Sequence, residues 1–202
     1  MKVILDDLDF KGPEIDDLGL MQSLPVELRD LLQTNNGFVQ FGGGLHVRGA
    51  CLEPDWHSLR AAMEGPFAFH KLYDEIDETD IPFAQDCSGD QFLIRGGEVH
   101  QLAAEVGEVD SSEMGLLEFL EFAWKDPEEN LCMHPLAQFH RGGGTIKPGQ
   151  LLLAYPPFCT GQSGANASFR AVSAAEVITF HAQLAKKLVE LEDGEELSFS
   201  AD

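Results

Sequence analysis

Ile81-Pro82-Phe83-Ala84-Gln85-Asp86-Cys87-Ser88-Gly89-Asp90-Gln91-Phe92-Leu93-Ile94-Arg95-Gly96-Gly97-Glu98-Val99-His100-Gln101-Leu102 decides the fold. Residues 81–84, 91–95 and 98–102 are short runs rich in apolar residues, divided by turn residues, and so read as antiparallel strands. The two-residue Gly96-Gly97 connection suits a type I′ hairpin, which needs positive φ at both central positions. Hairpin connections through the middle of the chain, with helical patterns on either side, favour α+β with an antiparallel sheet over a doubly wound parallel one.

Upstream, Leu24-Pro25 predicts a helix start, with Leu28, Leu31 and Leu32 on one face, and Asn35-Asn36-Gly37 supplies its stop. Residues 38–41 and 45–47 read as strands around Gly42-Gly43-Gly44. Asp55 is placed to cap a helix carrying Trp56, Leu59 and Met63, closed by Gly65-Pro66. Before residue 23 the sequence is acidic and weakly patterned, and is expected to form an arm.

Downstream, Asp110 with Glu113 reads as a capping box for a helix bearing Leu116, Phe119, Leu120 and Ala123. Asp126-Pro127 closes it, and a second helical stretch is expected over 128–139. Strands at 151–154 and 168–172 precede the longest helix, which Ser173 and Glu176 begin and whose apolar period runs from Val177 to Leu191. Gly194 is a suitable end, and Leu197 and Phe199 alternate as in a last strand. The expectation is a single domain: arm 1–22, core 23–125, and a helical and strand extension 126–202 packed on that core.

A chain of 202 residues can bury most of the surface its unfolded form exposes. Its 35 acidic and 13 basic residues leave a formal charge of −22, which repels nucleic acid and anionic membranes and would steer a basic protein partner. Cys51, Cys87, Cys132 and Cys159 form no CxxC pair, so reduced thiols are expected. The start turns acidic before a signal-length apolar run can form, and no transmembrane stretch follows; a cytoplasmic location is expected.

Sites of chemistry are hard to find. Neither Gly-Gly-Gly run fits a nucleotide-binding loop, and Gly161-Gln162-Ser163-Gly164 misses the nucleophile-elbow pattern. Cys159 and His181 are a conceivable nucleophile and base, but as sequence they read as a buried thiol and a helix-surface imidazole. The seven histidines show no HExxH spacing, so no metal or other cofactor is expected. The run Asp74-Glu75-Ile76-Asp77-Glu78-Thr79-Asp80, continuing to Asp86 and Asp90 without a Lys or Arg, lacks the calcium-loop pattern. A solvated loop is its plainer reading. Its sharper one makes Asp74, Glu75, Asp77, Glu78, Asp80 and Asp86 a docking surface for a partner's Arg and Lys.

Three pieces of this sequence resemble the SUKH superfamily, which groups bacterial immunity proteins with a yeast regulator of cell-wall synthesis. Leu24-Pro25 and Asn36-Gly37 look like its opening "LP … NGG", with Phe38 in place of the second glycine. Phe83-Ala84 through Gly89-Asp90 to Phe92 is similar to its "FAxDxxGDxF" stretch. Gly97-Glu98-Val99-His100 and residues 116–122 resemble its closing strand and helix. The likeness spans about residues 20–125. It implies an α+β scaffold without a catalytic centre, which neutralises a toxin, often a nuclease or deaminase, by binding it. Pro25, Asn36, Gly37, Phe83, Gly89, Asp90 and Phe92 then have structural roles. A regulatory scaffold, or an enzyme with an unrecognised site, are the alternatives.

Overall fold

The structure, a computed structural model, describes residues 6–160 and 167–190. Seven strands form one sheet in sequence order, every neighbouring pair antiparallel: β1 (Phe10–Lys11), β2 (Phe38–Gln40), β3 (Leu45–Val47), β4 (Ile81–Asp86), β5 (Gln91–Arg95), β6 (Glu98–Ala103) and β7 (Glu108–Met114). Gly96 and Gly97 both take positive φ, 61° and 93°, as the β5–β6 hairpin requires. A second pair, β8 (Gln150–Tyr155) and β9 (Ser168–Ser173), is followed by the long helix α8 (Ala174–Glu190), forming the expected extension.

Period-two alternation divides the sheet into two faces. On one face Phe38, Leu45, Val47, Phe83, Phe92, Ile94 and Val99 pack with α1 (Leu18–Ser23), α2 (Val26–Thr34) and α5 (Leu116–Lys125) in the main core. On the other, Leu93 and Leu102 meet Ala62 of α3 (Leu59–Glu64), Phe69 of α4 (Phe69–Leu72), Tyr73 just beyond it, and Ala182 and Ala185 of α8. The sheet is thus covered by helices on both sides. Within the expected arm, β1 extends the sheet and α1 buries Leu20 and Met21 in the core, while Leu18 stays exposed.

Several local expectations fail for identifiable reasons. Asp110 and Glu113 do not cap a helix: they lie in β7, where Asp110 pairs with Gln101, and α5 starts only after Gly115. The open edge of β6 offered this segment a ladder, and its acids point outward along the new edge. Asp55 does not cap α3; Ser58 does, accepting from the Ala61 amide at 3.1 Å. Trp56 therefore precedes the helix. The stretch 128–139 is two helices, α6 (Pro127–Asn130) and α7 (His134–Arg141). Pro135 cannot donate to the Leu131 carbonyl and would clash with it in a continuous helix, so the chain turns through Cys132 at φ 50°. Pro25 sits one residue before α2 rather than in it. The features expected at Leu191, Gly194, Leu197 and Phe199, and Gly161-Gln162-Ser163-Gly164, lie outside the described residues.

Candidate functional site

A polar chain runs across the face of β3–β5 opposite the main core. Arg48 is buried and donates to the carbonyls of Pro82 (2.8 Å) and Ala84 (3.4 Å) and to the side-chain oxygens of Gln85 (2.6 Å) and Gln91 (2.7 Å). Gln85 Nε2 lies 3.1 Å from His46 Nδ1, His46 Nε2 lies 2.9 Å from His57 Nδ1, and His57 Nε2 lies 3.0 Å from the Asn36 carbonyl. Burial pulls the Arg48 guanidinium down to about 9, still charged at neutral pH.

Only one proton arrangement satisfies this chain. Arg48 can only donate, which turns the Gln85 oxygen toward it and the Gln85 amide toward His46. At the far end the Asn36 carbonyl can only accept, so His57 carries its proton on Nε2. Both imidazoles are then neutral Nε2–H tautomers. A second proton on either would set donor against donor along the line. Burial acts in the same direction: it holds His46 well below its ordinary value and, chiefly, takes His57 down to about 4. The unfolded chain binds these protons near pH 6.5 and the folded chain does not, so the histidines' contribution weakens stability as pH falls from about 6.5 toward 4. By 15N NMR both imidazoles are expected to remain Nε2–H tautomers at pH 5; protonation of either near 6.5 overturns the assignment.

Two residues expected to have structural roles, Asn36 and Gly89, lie at the ends of this chain. Asn36 donates to the Pro13 carbonyl (3.0 Å) and accepts from the Ala50 amide (2.7 Å), while Gly37 takes φ 76°. Gln91 donates to the Gly89 carbonyl, and Gly89 has φ 99°. Asp90 accepts from the Ala104 amide (2.9 Å) and from Gln101 (3.3 Å), tying the β4–β5 turn to the end of β6. Phe83 and Phe92 both pack on Phe119 in the main core.

The acids expected to dock a partner divide into two groups. Asp74, Glu75, Asp77 and Glu78 are exposed, and none forms an ion pair among the described residues. Asp80 and Asp86 do not belong with them. Asp80 is buried against Arg95, which donates to both of its oxygens (2.9 and 2.6 Å), because a carboxylate so enclosed needs a cation. Asp86 is also buried, its Oδ1 accepting from the amides of Ser88 (2.8 Å), Gly89 (2.8 Å) and Asp90 (3.0 Å). Burial, with Asp90 beside it, nevertheless holds the Asp86 carboxyl above its usual range.

Sequence reasoning missed a cavity of about 440 Å³ where the extension meets the core. Asp86 and Asp90 line it from the β4–β5 turn, Glu105 from beyond β6, Cys159 from the segment after β8, and His181 from α8. His181 is buried rather than on the helix surface, because α8 lays that face against the sheet. Its Nε2 lies 3.7 Å from Glu105 Oε1; neither atom, nor His181 Nδ1, has a hydrogen-bond partner. The other Glu105 oxygen accepts from the Cys159 amide at 2.7 Å. Burial brings His181 down to about 4 and, together with Glu105, lifts the Cys159 thiol to about 11. A larger groove of about 810 Å³ lies between α3 and the start of α8, but its Arg60 is already engaged by Asp17 and Glu64.

No described group of three or more His, Cys, Asp or Glu side chains is arranged to hold a metal ion. No described helix is long and apolar enough to cross a membrane. No protein-family model matches the chain, and a search of curated proteins returns no match.

Proposed function

We propose that this chain is a protein-binding module of the SUKH type, working in the cytoplasm, which neutralises a basic partner of the nuclease or deaminase class by occupying its cationic surface. One observation carries the reading: Asp74, Glu75, Asp77 and Glu78 stand exposed, with no ion pair among the described residues, on a loop whose base is locked by Asp80 and Arg95. Carboxylates held this way present a fixed negative array at little ordering cost, which suits the phosphate-binding surface of a nucleic-acid enzyme.

The test uses the product of the neighbouring open reading frame, co-expressed with this protein and then titrated against it. Growth rescue is expected, with affinity falling between about 50 and 300 mM salt, where screening shortens the reach of exposed charges. Neutralising the loop as Asp74→Asn, Glu75→Gln, Asp77→Asn and Glu78→Gln should weaken binding roughly tenfold or more, the sum of several rim charges. Binding indifferent to both salt and these substitutions rejects the reading.

The cavity motivates a second reading, a thiol hydrolase using Cys159 and His181. Against it stand the thiol held protonated near neutral pH and the His181 Nε2 set toward Glu105 rather than the sulfur. Iodoacetamide labelling of Cys159 with an apparent pKa below 7 would favour the hydrolase.

A further inference from the structure

We propose that the cavity between the β4–β5 turn and α8 is a receptor for one arginine side chain of the protein partner, with the guanidinium bridging Glu105 and His181. This rests on the binding-module reading and locates its specificity away from the exposed loop. The argument starts from an imbalance. Glu105 Oε1 and both ring nitrogens of His181 are buried without a hydrogen-bond partner, and His181's side chain is only 3% exposed. Leaving such groups unsatisfied is costly, so unpaired polar side chains on the wall of one cavity mark a place where a ligand completes the bonding.

The lining states what that ligand must be. Asp86, Asp90 and Glu105 contribute carboxyl groups, and no Lys or Arg lines the cavity. Asp90 is spent on Ala104 and Gln101, and Asp86 Oδ1 on its own turn. That leaves Glu105 Oε1 as acceptor, a neutral His181 able to accept on one nitrogen, and Asp86 Oδ2, which takes no part in the turn. The complement is a cation with several donors in a planar fork. A guanidinium has that shape. An ammonium has no planar fork. An anion is repelled.

The probe is N-acetyl-arginine methylamide, titrated into the intact protein and followed by 1H–15N NMR. Saturable shifts are expected at Glu105, Val106, Cys159 and His181, with a Kd on the order of 1 mM, as suits a single side chain. Glu105→Gln, which can still accept from the Cys159 amide, should weaken binding on the order of tenfold while retaining the native spectrum. Cys132→Arg, at the exposed rim of the cavity, should compete with the probe from within the molecule. The four loop substitutions at 74–78 should leave the titration unchanged. Shifts scattered over the surface without saturation, equal binding by Glu105→Gln, or equal affinity for the capped lysine analogue overturns the assignment. Because no partner is present in the titration, its failure removes the receptor alone and leaves the co-expression result standing, whereas a failed co-expression removes the partner and with it the arginine this cavity would take.

Discussion

Arg48→Met is expected to lower the unfolding free energy by about 3–5 kcal/mol in urea titrations at pH 7, the scale on which removing one member of a buried polar network acts. The guanidinium has no carboxylate partner; two carbonyls and two glutamine oxygens hold it, and the Phe69 ring lies 5.2 Å from its centre. Methionine fills much of the volume but donates to none of the four acceptors. The Gln91 oxygen then stays buried without a donor, and the Gln85 oxygen keeps only the longer bond from Gln91 Nε2 (3.3 Å), so the amide of Gln85 is held toward His46 less firmly. A loss within about 1 kcal/mol, the size of one ordinary hydrogen bond, would mean that the glutamines repair the network without the cation.

Gly37→Ala should be comparably severe, at about 3–5 kcal/mol, and for a different reason. At φ +76° a Cβ there meets His57 Cε1 and the Val47 carbonyl oxygen, each at 2.6 Å, and the Arg48 carbonyl carbon at 2.7 Å. Neither backbone group can yield without disturbing the β2–β3 pairing. Gly96→Ala is the control: its φ is +61°, but nothing lies within 4 Å of the added methyl. Only the conformational cost remains there, about 1 kcal/mol. Equal losses at the two positions would show that left-handed geometry, rather than the crowding around His57, governs Gly37.

The central hairpins were legible because alternation and the Gly96-Gly97 turn agree with one another, and nothing distant competes with them. The capping-box reading at Asp110 failed because a local side-chain pattern was outweighed by a free strand edge, which no local window contains. At the site the division is similar. Exposed carboxylates at 74, 75, 77 and 78 follow from a charge run, whereas the inward turn of Asp80 depends on Arg95, 15 residues away. His46, between Leu45 and Val47, and Gln85 and Gln91 on facing strands, carried a faint signal: polar residues at alternate positions of strands that are buried on both faces. Glu105, Cys159 and His181 gave none, because their meeting depends on how the extension folds back.

That fold-back divides the cavity wall between two parts of the chain. Every strand of the seven-stranded sheet, and the polar chain from Arg48 to Asn36, lies before residue 115, while Cys159 and His181 come from the last quarter of the chain. Substitutions in α8 and in the segment after β8 therefore reshape the cavity from one side, while the β2–β6 framework that supplies its other wall stays as it is.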